Sequence, residues 1–154
     1  MQERELVVNV QKGDMQAFEQ LFELYKCKAL RTIYSMTRDK DISEDIVQEV
    51  FVSCYTSIKS LQNPEYFKTW FYRILTRTTW RYMEKEKTLI PVENIFRKSE
   101  DSYENSSLEK LEQKESSKLL YQEILKLQPK LQTTLILYYY NEFSVKEIAQ
   151  TSIQ

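Results

Sequence analysis

Histidine is absent from this sequence, glycine occurs once, proline three times and cysteine twice. Each shortage excludes something. Without histidine there is no Ser-His or Cys-His relay and no His-based zinc or di-iron site. A single glycine cannot build the loop that brings backbone close to a phosphate group. No run approaches the ~18 uninterrupted apolar residues of a membrane span. The opening Met1-Gln2-Glu3-Arg4-Glu5 is not a signal peptide. An excess of either charge is missing too, because 22 basic residues face 23 acidic ones. Cys27 and Cys54 lie inside apolar helical patterns, so buried, reduced thiols in a cytoplasmic protein are expected. No metal, cofactor or small-molecule substrate is expected.

What is present is a helical pattern. Hydrophobic residues make up 42% of the 154 residues and aromatic ones 13%, enough for a core. Sustained period-two alternation and Asn-Gly or Asp-Gly turns are both missing, which argues against strands. Residues 2–11 read as a short helix. Asp14 caps the next one, whose Phe18, Leu21, Phe22, Tyr25, Ala29, Ile33 and Met36 keep a helical period. Arg38-Asp39-Lys40-Asp41 interrupts it, and Ser43 or Asp41 is the expected cap of a third helix. There Ile46, Val47, Val50, Phe51, Cys54, Tyr55 and Ile58 form a broad apolar stripe. Asn63-Pro64 then starts a long helix ending near Lys87, with Phe67, Trp70, Phe71, Ile74 and Leu75 as its buried face.

Residues 88 to about 107 are rich in Ser, Asn, Glu and Asp, have no apolar period, and read as a linker. Helical pattern resumes with Leu108, Leu111, Leu119, Leu120, Ile124 and Leu125. Pro129 opens a further helix carrying Leu131, Leu135, Ile136 and Tyr139. Ser144-Val145-Lys146-Glu147 is a capping-box signature for a last helix.

Three constellations carry chemistry. Arg73, Arg77, Arg81 and Lys85, four residues apart, form one basic row on a helix face. Tyr66, Tyr72, Thr76 and Trp80 lie beside it. Basic groups neutralise phosphates and aromatics stack on unpaired bases; the plainer reading is a solvated face whose Trp80 packs on a neighbouring segment. Segment 58–87 has seven basic residues against three acidic, a net of +4. Segment 37–51 has two basic against five acidic, a net of −3, with Glu44, Asp45, Gln48 and Glu49 opposite the apolar stripe. These could simply face solvent. They do not read as catalytic carboxylates, since no pocket separates two pKa values. The Ser144–Ala149 helix has the small fifth residue of a first helix of a helix-turn-helix, although a plain helical hairpin would look the same. Tyr138-Tyr139-Tyr140 reads as packing at a helix end.

In order along the chain, these pieces resemble an extracytoplasmic-function (ECF) sigma factor of bacterial RNA polymerase. The carrying segments are Asp14–Phe22, Ser43–Phe51, Phe67–Ile74, Leu127-Gln128-Pro129 and Ser144–Ala149. The resemblance implies an all-α fold of two small helical domains: domain two at 1–88, a polar linker at 89–106 and a partial domain four at 107–154. It implies that Glu44, Asp45, Gln48 and Glu49 bind the polymerase β′ subunit. It assigns contacts to the promoter's minus-ten element to Tyr66, Lys68, Tyr72, Arg73, Thr76, Arg77, Trp80 and Arg81. It also implies an anti-sigma partner and no catalytic chemistry. Relatives carry Ala-Arg-Asn after the Ile matching Ile74, whereas this chain has Leu75-Thr76-Arg77. Gln150–Gln154 leaves no room for a recognition helix, which points to a truncated chain. A shortened domain four should then leave Leu131, Leu135, Ile148 and Ile153 facing water and should fray, dock on domain two or pair with another chain. Two further readings stay open: a sigma-like protein that occupies polymerase without supporting initiation, and an all-helical enzyme, for which no catalytic constellation exists.

Overall fold

The computed structural model describes residues 2–89 and 115–152, and every regular element among them is helical. In chain order these are α1 (Glu3–Gln11), α2 (Met15–Thr37), α3 (Lys40–Ser57), α4 (Phe67–Leu89), α5 (Glu115–Leu125), α6 (Pro129–Leu135) and α7 (Val145–Ser152). Two 3-10 turns, Ile58–Ser60 and Pro64–Tyr66, join α3 to α4, and a π-helical turn, Ile136–Tyr140, extends α6. Of the expected linker at 89–106, all but Leu89 lies outside the described residues. So do Leu108, Leu111 and Ile153.

Local chemistry sets the helix boundaries. The chain's one glycine, Gly13, turns the α1–α2 connection at φ 97°, a left-handed conformation that glycine adopts without a Cβ penalty. Asp14 then accepts the free N–H groups of Gln16 and Ala17. The α2–α3 corner differs from expectation. Arg38 takes a left-handed conformation at φ 57°, and Asp39, neither Asp41 nor Ser43, caps α3 by accepting from Ile42 N–H. Ser43 lies buried within the helix, where its hydroxyl donates to Asp39 O and meets Thr37 Oγ1 at 2.7 Å. The corner is thus tied from inside. Asn63 accepts from Glu65 N–H, with Pro64 in the first position of its turn.

Helices α2, α3 and α4 meet around an aromatic core. Phe71 is fully buried, its ring 5.0 Å from Tyr25, 5.2 Å from Phe51 and 5.8 Å from Phe67. Leu21, Ile33, Ile46, Val50, Ile58 and Leu75 fill the space around it. Helix α1 adds Leu6, Val7 and Val10, and Gln11 Nε2 donates to the carbonyls of Ile58 and Leu61, closing the end of α3. Cys54 is buried as expected, and burial pushes its thiol up to about 12, so it is inert at neutral pH. Cys27 departs from expectation: it lies on the outward side of α2 and is exposed.

The C-terminal helices share this core. Leu137, Phe143 and Ile148 belong to the same buried cluster, with α7 packed on α4 and α6 on α2. Ile148, expected to face water, is therefore buried, while Leu131 is exposed and Leu135 half-buried. Of the three tyrosines at 138–140, Tyr138 and Tyr139 are exposed rather than packed.

Removing the Phe71 ring leaves a cavity where three helices meet. Phe71→Ala is expected to cost about 3–5 kcal/mol in urea denaturation. Leu24→Ala, on exposed surface, should stay within about 0.5 kcal/mol.

Candidate functional site

Helix α4 presents two different surfaces beyond its core face. Tyr66, Arg77 and Arg81 are exposed, and Lys85 continues the row in water. Lys68, Tyr72, Arg73, Thr76 and Trp80 lie under or beside the C-terminal helices. The eight residues assigned to strand contact are therefore brought to one helix and its entry turn, but not to one accessible face. Tyr72 and Thr76 depart from the expected exposure: both are buried.

The covering contacts are specific. Asn141, itself buried, donates from Nδ2 to Thr32 Oγ1 at 3.0 Å and to the Tyr72 hydroxyl at 3.2 Å, joining α2, α4 and the end of the π turn. Trp80 Nε1 donates to Thr133 Oγ1 at 2.9 Å, so the indole packs on a neighbouring segment, the plainer of the two sequence readings. The Arg73 guanidinium donates to the carbonyl of Gln150 in the last turn of α7. Lys68 pairs with Glu147 at 3.1 Å and sits 4.4 Å from the centre of the Phe143 ring. The Phe143 ring in turn meets Tyr72 edge-on at 5.0 Å. Arg73 Nε is buried without an acceptor.

Electrostatics follow from these partners. Burial pushes the Tyr72 hydroxyl up to about 12, against the lowering effect of its Thr32 and Asn141 contacts. The Ser144 N–H, reached through the capping box, holds Glu147 below the ordinary carboxylate range, and Lys68 adds to this. Tyr25, half-buried and donating to Glu3, is also raised, chiefly by loss of solvent around its hydroxyl.

On α3, Glu44, Asp45 and Gln48 face solvent as expected. Glu49 does not stand apart with them. One carboxylate oxygen accepts from the Arg81 guanidinium and the other from the Tyr82 hydroxyl at 2.6 Å, which raises the Tyr82 pKa. Glu49 thus ties the acidic helix to the basic one. Sequence reasoning missed Val52, an exposed apolar residue one turn beyond Gln48. It also missed Asn141 and Thr133. The available signal was the threonine content of α4: Thr69, Thr76, Thr78 and Thr79 are all buried. No group of histidine, cysteine or carboxylate residues able to hold a metal occurs among the described residues. No described helix is long and apolar enough to cross a membrane.

Comparison with known proteins identifies this arrangement. The Sigma-70 region 2 family matches residues 21–88, a span from α2 to the end of α4. The ECF RNA polymerase sigma factor SigW of Bacillus subtilis is 31% identical over 152 residues, covering 94% of this chain and 81% of SigW. The chain belongs to the ECF RNA polymerase sigma factors. The RNA polymerase sigma-H factor of Pseudomonas aeruginosa is 28% identical over 156 residues, with 96% and 81% coverage. Among solved structures, CnrH in complex with the cytosolic domain of CnrY has a TM-score of 0.66 at 17% identity, covering 97% of this chain and 81% of that one. At that identity the likeness concerns the fold alone. The all-α fold, the family and a role in transcription initiation are thus as the sequence implied.

Tyr72 gives this sigma factor a pH signature. A phenol raised in the folded state contributes stability that is fully present below its unfolded pKa of 10.0 and is lost as pH rises toward about 12. Denaturation across that window should show a falling stability, and Tyr72→Phe should remove part of the slope.

Proposed function

We propose that this sigma factor binds core RNA polymerase through the acidic face of α3 and separates promoter strands with α4. Asp45, Gln48 and Glu44 meet the β′ subunit, and Glu49 contributes from the edge of that face. Tyr66, Lys68, Tyr72, Arg73, Thr76, Arg77, Trp80 and Arg81 engage the minus-ten element. The protein is cytoplasmic, has no catalytic chemistry of its own, and is held in check by an anti-sigma partner.

The observation that carries this reading is the juxtaposition of an open acidic helix face and a basic-aromatic helix, joined through Glu49. Strand opening costs a few kcal/mol per unstacked step. Each base stacked on an aromatic side chain returns about 1–3 kcal/mol. Tyr66 and Trp80 are relevant in size to a short opening, but the polymerase must supply the rest. Long-range attraction to duplex DNA is weak, because the net charge is −1.

A second reading, occupation of polymerase without initiation, draws support from the covering of Tyr72 and Thr76 by the C-terminal helices. Promoter-dependent run-off transcription with core polymerase separates the two: transcripts support the first, and core binding without transcripts supports the second. Asp45→Lys should weaken core binding about 10-fold, equivalent to about 1.4 kcal/mol, with helical content unchanged. Unchanged affinity in a titration would refute the assignment.

A further inference from the structure

We propose that Gln11, at the end of α1, is the positioning residue for the turn that presents Tyr66 to the unpaired promoter strand. The inference rests on the assignment of Tyr66 to strand contact. It gives a part in that contact to α1, a helix that carries none of the residues assigned to DNA or polymerase.

Tyr66 ends a short crossing between α3 and α4. The crossing runs from the Ile58–Ser60 turn through extended backbone at Leu61 to the Pro64–Tyr66 turn. Gln62, Asn63, Glu65 and Tyr66 all face water, Tyr66 at 54% exposure. A segment with so little burial is placed by its anchors more than by its own packing. One anchor is Phe67, buried with its ring 5.2 Å from Tyr25 and 5.8 Å from Phe71. The other is Leu61, whose carbonyl accepts from Gln11 Nε2 at 2.8 Å. The same nitrogen donates its second hydrogen to Ile58 O at 2.9 Å. Ile58 O also accepts from Leu61 N–H at 3.2 Å, closing the first turn. Gln11 thus pins both ends of that turn to the end of α1.

The residue type matters here. A primary amide nitrogen carries two hydrogens in one plane, which suits two carbonyls three residues apart. An ionised glutamate has no donor and would set a charge against both carbonyl oxygens. Asparagine, one methylene shorter, does not reach both from the same backbone position, and leucine fills the space without a donor. Gln11 is half-buried, so carbonyls left unpaired beside it carry a desolvation cost. Arg4 and Glu65 form a second tie between α1 and the crossing at 3.8 Å, but both are exposed and the pair is weak. Within the crossing, Tyr66 N–H donates to Asn63 O, and Asn63 Oδ1 accepts from Glu65 N–H. These bonds set the shape of the second turn, and the anchors set its place. Stacking depends on ring distance and angle, so a shift at Leu61 is felt at the Tyr66 ring.

The test is a double-mutant cycle on Gln11 and Tyr66, in the full chain assembled with core polymerase. The probe is a fluorescein-labelled single strand of DNA that the unsubstituted holoenzyme selects from a random pool. Binding is read by anisotropy, with core polymerase alone as the blank. Gln11→Leu should weaken strand binding about 5-fold, the lower end of what one stacked base is worth. In a Tyr66→Ala background the same substitution should change affinity less than about 2-fold, because the ring it positions is gone. A loss that only reflects lower stability persists in both backgrounds, and that result overturns the proposal. Equal strand binding by Gln11→Leu and the unsubstituted chain overturns it too. Core affinity should be the same in all four chains. If Gln11→Leu loses core binding or helical content, Gln11→Asn replaces it, with a smaller loss expected and the same dependence on Tyr66. If Tyr66→Ala by itself leaves strand binding unchanged, Tyr66 is not a contact residue and the positioning role falls with it. If Tyr66→Ala weakens binding with no coupling to Gln11, the strand assignment stands and the positioning role is wrong.

Discussion

Phe71 stands where α2, α3 and α4 meet, with Tyr25, Phe51, Phe67 and Tyr72 around it at ring separations between 5.0 and 5.8 Å. Rings at this spacing bury large apolar area and fix one another's orientation through edge and offset contacts. Helix α4 cannot rotate without displacing Tyr25 of α2 and Phe51 of α3. Its remaining surfaces are therefore set by the core: Arg77 and Arg81 must point to water, and Tyr72, Thr76 and Trp80 must point to the side where the C-terminal helices lie.

Glu49 shows how closely the two faces are linked. Read along the sequence, it belongs to an acidic patch on α3, and Arg81 to a basic row on α4. In space its two carboxylate oxygens serve Arg81 and Tyr82. The pair is substantially solvent-exposed, so it contributes little to stability by itself. Its effect is geometric. A group that draws on Glu49 from the α3 side changes what holds Arg81 on α4, so the opposite charges couple the two faces.

Much of this was legible in the sequence. Apolar positions at helical spacing located α2, α3 and α4 and named the core residues Leu21, Ile33, Ile46, Phe67 and Phe71, because burial against a single partner leaves a single stripe. Asp14, Asn63 and the Ser144–Glu147 box marked their helix starts, since capping is local chemistry. The α3 cap was misplaced because Ser43 is buried and serves the corner through Thr37 and Asp39, a tertiary role that a polar residue near a helix start does not announce. The second buried side of α4 was not legible for a related reason. Periodicity separates apolar from polar residues, and this side is made of threonines, a tyrosine and a tryptophan. Asn141 is the extreme case: its partners lie 109 and 69 residues away in sequence.

Those threonines let a polar face of α4 be buried without unmet hydrogen-bonding demand. The hydroxyls of Thr76 and Thr79 donate to the carbonyls of Arg73 and Leu75 on their own helix, and Thr133 and Thr151 do the same on α6 and α7. A hydroxyl satisfied within its own turn needs nothing from the opposing surface. Covered, it presents a methyl group for packing; uncovered, it meets water without leaving a partner stranded. A face of leucines would close about as well but would expose large apolar area whenever it opened, favouring permanent closure or aggregation. A face of lysines would open freely and would not close. Among the described residues of the C-terminal side, Leu137, Phe143 and Ile148 join the shared core, at about 1.5–3 kcal/mol each if fully buried. The ordering of that segment opposes them, so the polar contacts of Asn141 weigh in on where the segment sits. With one amide aimed at two helices, Asn141 fixes where the C-terminal helices sit more than how tightly they hold.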